Sequence, residues 1–185
     1  MSARDAGRRY GAERLARTFR GDPRRVFLEE NGDVWTVERL LAHAADIART
    51  IPADAGSVVA VRCHSAAFVV ASLFGVWQTG RSPLLVDPTL TTEPAGLRGR
   101  RVRLPVIAPA RVQDPWADYA VEESASQPVE PRFPAPDDTE VIFFTSGSTG
   151  APKIVRKRGF QFGEQGVREV PWIGRRTIEW MEKYW

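Results

Sequence analysis

The sequence predicts an α/β fold, a mainly parallel sheet flanked by helices and carrying a strand–loop–strand unit. Three observations predict it. Ser57–Val61 and Pro83–Val86 are short apolar runs separated by a long apolar segment, Ala66–Thr79, a strand–helix–strand succession. A second helical pattern begins at Thr36. Val141-Ile142-Phe143-Phe144 and Ile154-Val155 are β-prone and bracket a loop rich in glycine and hydroxyls.

In chain order, residues 1–25 hold eight arginines against Asp5, Glu13 and Asp22 and read as a weakly ordered lead-in. Val26-Phe27-Leu28 and Val34-Trp35 are the arms of a hairpin around Glu30-Asn31-Gly32-Asp33, a run with strong turn chemistry. Thr36 offers an N-cap. Val37, Leu40, Leu41, Ala44, Ile47, Ala48 and Ile51 then recur at helical spacing until Pro52 stops the helix. His43, within this helix, reads as a surface or half-buried structural histidine. Ser57–Val61 is a continuous apolar strand of the kind covered on both faces. The helix Ala66–Thr79 closes on Gly80 as C-cap, and Pro83–Val86 ends at Asp87-Pro88. Strand–helix–strand with short joints makes a right-handed crossover between parallel strands.

Val106-Ile107-Ala108 offers one more strand. Seven of the fourteen prolines fall between Pro105 and Pro136, and residues 114–140 hold eight acids against Arg132, so residues 105–137 read as an extended, mobile acidic connector. Phe160–Val170 could begin a further helix.

Length and composition bound the class. At 185 residues the expectation is one domain, and 43% hydrophobic residues suit a globular protein. The one cysteine, Cys63, excludes an intramolecular disulfide framework and fits a reducing cytosol. Ala66–Trp77, the longest apolar run, is too short to span a bilayer, and a cytoplasmic protein without a membrane span is expected. The net charge of +3 divides into a basic head and an acidic middle, which argues against nucleic acid as partner. Arginine outnumbers lysine 23 to 3, yet Lys153 and Lys157 both lie in or beside the glycine-rich loop.

That loop, Thr145-Ser146-Gly147-Ser148-Thr149-Gly150-Ala151-Pro152-Lys153, carries the chemistry. Glycines let backbone N–H groups crowd a ligand, and the hydroxyls and an ammonium add donors, a concavity suited to a polyanion. A flexible linker has a similar composition, but linkers are seldom clamped between apolar strands and closed by Pro-Lys. A Walker A loop needs G-x-x-x-x-G-K-[ST] opening a helix, and here the lysine stands three residues beyond Gly150. The G-x-S-x-G spacing of a nucleophile elbow is missing too.

The loop resembles the phosphate-binding signature of the adenylate-forming superfamily: acyl- and aryl-CoA synthetases, peptide-synthetase adenylation domains and luciferases. The hairpin with Thr36 and its helix, and the block from Gly56 to Pro88, are similar to earlier family blocks in the same order. The resemblance implies an incomplete N-terminal AMP-binding domain over residues 26–168, with an atypical tail over 169–185 that reads as a truncated or frameshifted end. It departs after Lys153: Ile154 stands where the family has glycine, and no histidine follows. By resemblance, such a ligase uses Mg-ATP to join a carboxylic acid to AMP. It then passes the acyl group to a thiol, coenzyme A or a carrier protein. Thr145, Ser146, Gly147, Ser148, Thr149, Gly150 and Lys153 would bind the triphosphate. No residue is assigned to catalysis or to a metal. The resemblance implies an inactive fragment, with a non-catalytic nucleotide- or protein-binding module as the alternative.

Overall fold

The computed structural model describes residues 19–91, 104–124, 126–132, 140–145 and 153–158. The Ser146–Pro152 loop, the possible helix at 160–170 and the 169–185 tail lie outside these residues. Two strands, β1 (Val26–Glu30) and β2 (Asp33–Thr36), pair antiparallel. Asn31 and Gly32 join them at φ of +54° and +86°, the paired left-handed conformations that Asn-Gly adopts in a tight hairpin.

Helix α1 (Val37–Thr50) starts where the sequence places it: the Thr36 side chain accepts a hydrogen bond from the Arg39 N–H at 3.3 Å. Such a cap contributes about 1 kcal/mol. Helix α2 (Ala66–Gln78) follows β3 (Val58–Arg62) and leads to β4 (Ser82–Val86). Its N-cap is Ser65. Its end is closed by Gly80 at φ +74°, with Gly80 N–H donating to Trp77 O at 2.9 Å and Arg81 N–H to Val76 O at 3.3 Å. These two bonds satisfy carbonyls that a helix end leaves without partners. Arg81 then donates to the carbonyls of Pro52, Ala53, Ala55 and Gly56, tying this end to the loop before β3.

Strands β5 (Val106–Pro109), β6 (Tyr119–Val121), β7 (Glu140–Thr145) and β8 (Lys153–Arg158) complete a six-stranded sheet ordered β6-β5-β3-β4-β7-β8. All neighbours run parallel except β7 and β8. Alternation along each strand sends Val59, Val61, Ile107 and Val141 toward the helices. Ala60, Leu84, Val86, Val106 and Ile142 form a second core on the opposite face with Leu90, Leu104 and Trp116. Among the described residues, no helix is long and apolar enough to cross a membrane.

Three expectations need correction. The lead-in contributes to the core: Phe19 is buried, its ring 4.6 Å from Phe74 and 5.1 Å from Phe27, centroid to centroid. His43 is buried, more deeply than the surface or half-buried position expected of a structural histidine, because its ring packs tilted against Trp35 and edge-on to Phe68. The acidic connector is anchored through most of its described length. Tyr119–Val121 pairs with β5, and beyond it buried Asp46 of α1 accepts bonds from the Ser124 N–H and from the hydroxyls of Ser124 and Ser126. Arg39 grips Glu123 with two bonds, and Val129 N–H reaches Leu41 O at 3.4 Å. Proline content made this stretch look loose, whereas polar contacts to α1 hold it.

The α1–α2 contact is closest at Gly75. A Cβ there would lie 2.7 Å from Ala44 O and 2.8 Å from the Ile47 side chain. Alanine gains about 1 kcal/mol of helix propensity over glycine. The clash with backbone and Cβ atoms outweighs it, since overpacking costs about 1–3 kcal/mol. Gly75→Ala is therefore expected to lower stability in urea denaturation, and Gly75→Val to lower it further.

Candidate functional site

Because β3, β4, β5, β6 and β7 are mutually parallel, their carboxyl ends share one edge of the sheet. Ligands of open α/β sheets bind outside that edge. The glycine-rich loop opens from it. Antiparallel pairing sets Thr145, the last residue of β7, directly opposite Lys153, the first of β8, and Phe144 opposite Ile154. The chain thus leaves the sheet at Thr145 and re-enters it at Lys153. Of the candidate phosphate-binding residues, the fold brings the Thr145 and Lys153 backbones together. Ser146, Gly147, Ser148, Thr149 and Gly150 lie outside the described residues.

The neighbouring strand ends are held by polar contacts that sequence reasoning missed. Arg62, at the end of β3, is buried and makes an ion pair with Asp114. It also donates to the carbonyls of Pro88 at 2.8 Å and Leu90 at 3.0 Å. Its guanidinium lies 4.0 Å from the centre of the Trp116 ring. One side chain thus ties the turn after β4 and the loop after β5 to the central strand. Beyond β4, the Asp87 carboxylate accepts from the Thr89 hydroxyl and N–H, and these bonds hold it below its ordinary range. Beyond β3, burial pushes the Cys63 thiol up, so it stays protonated at neutral pH. Across the hairpin, Glu30 accepts from Ser65 Oγ and from the Ala66 N–H at 2.6 Å, placing a carboxylate on the positive end of α2.

Two cavities open at this edge, of about 460 and 310 Å³. The larger is lined by Glu30, Asp33, Arg62, His64 and Asp114, the smaller by Trp35, His43, Phe68, Val121 and Glu122. Ser65, Pro109 and Arg111 line both. Among the described residues, no cluster of three or more His, Cys, Asp or Glu could hold a metal ion.

An open, largely parallel sheet whose β7 and β8 meet at the carboxyl edge defines the class as an α/β protein with its ligand edge at the strand ends. The comparisons specify the family. The model of the AMP-binding enzyme family matches residues 15–157. The chain belongs to that adenylate-forming family and covers part of its N-terminal domain. A nonribosomal peptide synthetase, lenA of Aspergillus lentulus, is 33% identical over 132 residues, 68% of this chain and 3% of that protein. Among solved structures, VinN superposes with a TM-score of 0.57 at 23% identity, over 81% of this chain and 43% of VinN. The anthranilate CoA ligase AuaEII, bound to anthranoyl-AMP, gives 0.57 at 19% identity, over 82% of this chain and 34% of the ligase. The O-succinylbenzoate coenzyme A synthetase of Bacillus subtilis, bound to AMP, gives 0.55 at 16%, over 80% and 42%. At these identities the structural likeness establishes the fold. The chain spans less than half the length of each.

Two predictions concern the buried charges at and near this edge. Arg62→Leu leaves the Asp114 carboxylate buried without its partner, so a loss on the order of 3–5 kcal/mol is expected in denaturant unfolding. Burial pushes the His43 imidazole below its ordinary 6.5, against opposing pulls from Glu123 and Asp46. The unfolded chain therefore takes up this proton first. Stability is full above about pH 6.5 and falls as pH drops through the folded-state value. His43→Phe is expected to flatten that decline in melting curves recorded against pH. Asp46 lies in a separate, more acidic window: burial alone would raise it, but Ser124, Ser126 and Arg49 together hold it below 3.8.

Proposed function

We propose that this chain carries the triphosphate-binding part of an acid–thiol ligase. The activity would convert a carboxylic acid and ATP to an acyl-adenylate and pyrophosphate, and then to a thioester of coenzyme A or a carrier protein. The observation that supports this most is the register of β7 against β8. It holds Thr145 and Lys153 side by side at the carboxyl edge, and a TSGSTGAPK segment connects them.

The loop's work would be positioning and charge neutralisation. Hydroxyls of Thr145, Ser146, Ser148 and Thr149, with N–H groups at Gly147 and Gly150, would donate to phosphate oxygens. Lys153 would add a compact positive charge. Mg²⁺, when bound with ATP, would neutralise further phosphate charge, and no residue of this chain is assigned to hold it. The part of this chain that superposes spans 43% of VinN and 34% of the anthranilate CoA ligase. These residues are therefore expected to bind ATP without activating an acid unaided.

Equilibrium binding of ATP tests the first statement. Lys153→Ala is expected to weaken it about tenfold or more, the equivalent of one charge-assisted hydrogen bond; unchanged affinity would place the triphosphate elsewhere. Exchange of labelled pyrophosphate into ATP tests the second. Acid-dependent exchange by these residues would show the catalytic parts to be present.

A further inference from the structure

The two cavities coincide with a discontinuity in the winding of the sheet. From β3 the chain crosses to β4 on one side. It then returns to place β5 on the other side of β3. The segments leaving β3 and β5 consequently diverge, and a crevice opens between their carboxyl ends, the position where open α/β sheets take ligands. Both cavities lie there, lined by residues from Arg62–Ser65 and Pro109–Asp114. The glycine-rich loop opens two strands away from β3, roughly 10 Å across the sheet.

The lining specifies a chemistry. The smaller lobe has an aromatic wall, with the His43 ring 5.9 Å from Trp35 and 5.6 Å from Phe68, centroid to centroid. His43 is 4% exposed, and its Nδ1 has no hydrogen-bond partner among the described residues, the nearest Asp46 oxygen being 3.7 Å away. Charged groups around the crevice are mostly committed. Glu30 caps α2, Arg62 holds Asp114, and Glu123 is held by Arg39. Arg111 lines both lobes, is exposed, and makes no hydrogen bond or ion pair with another described residue. Asp33 and Glu122 add negative charge at the rims, which disfavours a polyphosphate and leaves room for a single negative charge at Arg111.

We propose that this crevice is a second ligand site, separate from the glycine-rich loop, for a small aromatic monoanion. Its ring enters beside Trp35, His43 and Phe68, and its acidic group meets Arg111. The larger lobe is lined mainly by polar and charged groups, whereas the smaller sets Trp35, Phe68 and Val121 against Ser65, Arg111 and Glu122. Concave sites that join aromatic walls to placed polar groups are the usual form of a small-molecule site. The inference is independent of the assignment of ATP to the loop.

Ligand-observed NMR and calorimetry on the full 185-residue chain test it, with indole-3-acetate, tryptamine and inorganic phosphate as probes. Indole-3-acetate is expected to bind. Tryptamine, with the same ring and the opposite charge, and phosphate, an anion without a ring, are expected to bind at least about tenfold more weakly. Arg111→Gln should reduce indole-3-acetate affinity about tenfold or more. Exposure of Arg111 makes the fold tolerant of this change, which an unaltered circular dichroism melt would verify. Arg111→Lys should recover part of the loss, and Lys153→Ala should leave binding unchanged. No detectable binding, equal binding of tryptamine, or undiminished binding by a folded Arg111→Gln variant would each overturn the proposal. A loss of binding in Lys153→Ala would also overturn it, because the ligand would then sit at the loop.

Discussion

Strand β3 imposes the constraint on which the remaining architecture depends. It pairs parallel with β4 on one side and β5 on the other, and Val59, Ala60 and Val61 are all buried. A strand covered on both faces cannot alternate apolar and polar residues, so each face needs its own layer. The α1–α2 pair supplies one layer, closely packed at Gly75. Leu90, Leu104 and Trp116 contribute to the other. Parallel pairing then places the strand ends at a common edge, and the chain's polar chemistry gathers there.

That edge is ordered by buried charge. Arg62 is the principal device: its ion pair with Asp114, its bonds to two carbonyls and its stacking on Trp116 fix segments that hydrophobic packing alone would leave adjustable. A lysine could not replace it, because the planar fork reaches several acceptors while lying flat on a ring. Asp46 does comparable work at α1. Its carboxylate collects donors from Ser124 and Ser126 and holds the acidic stretch against the helix. Both devices exchange exposure to water for specificity of position. Removing one partner of such a group costs more than the intact contact contributes.

The glycine-rich loop and the crevice use this edge differently. The loop takes backbone from two antiparallel strands, so its ends are held by a ladder that extends to Glu140 and Arg158. The crevice lies between parallel strands whose outgoing segments diverge, and its walls are side chains brought from the hairpin, α1, α2 and the loop after β5. A loop built on a ladder suits binding by backbone N–H groups, whereas a crevice lined by side chains suits selection by shape and charge.

Much of this was legible in the residues. Asn31-Gly32 specifies a tight hairpin because both positions tolerate positive φ. Thr36, Ser65 and Gly80 mark helix ends because each satisfies backbone groups left open there. The strand periods and the TSGSTGAPK segment pointed to a parallel sheet and to the family. All of these are local, written within a few residues of one another. The placement of β5 beyond β3, the burial of His43 and Phe19, and the anchoring of the acidic stretch were decided by the tertiary structure alone. Their physical cause is separation: Arg62 meets Asp114 across 52 residues and Asp46 meets Ser124 across 78. No periodicity records which distant carboxylate will compensate a buried guanidinium, or which hydroxyls will compensate a buried carboxylate. That pairing exists only once the sheet has chosen its order and brought the strand ends together.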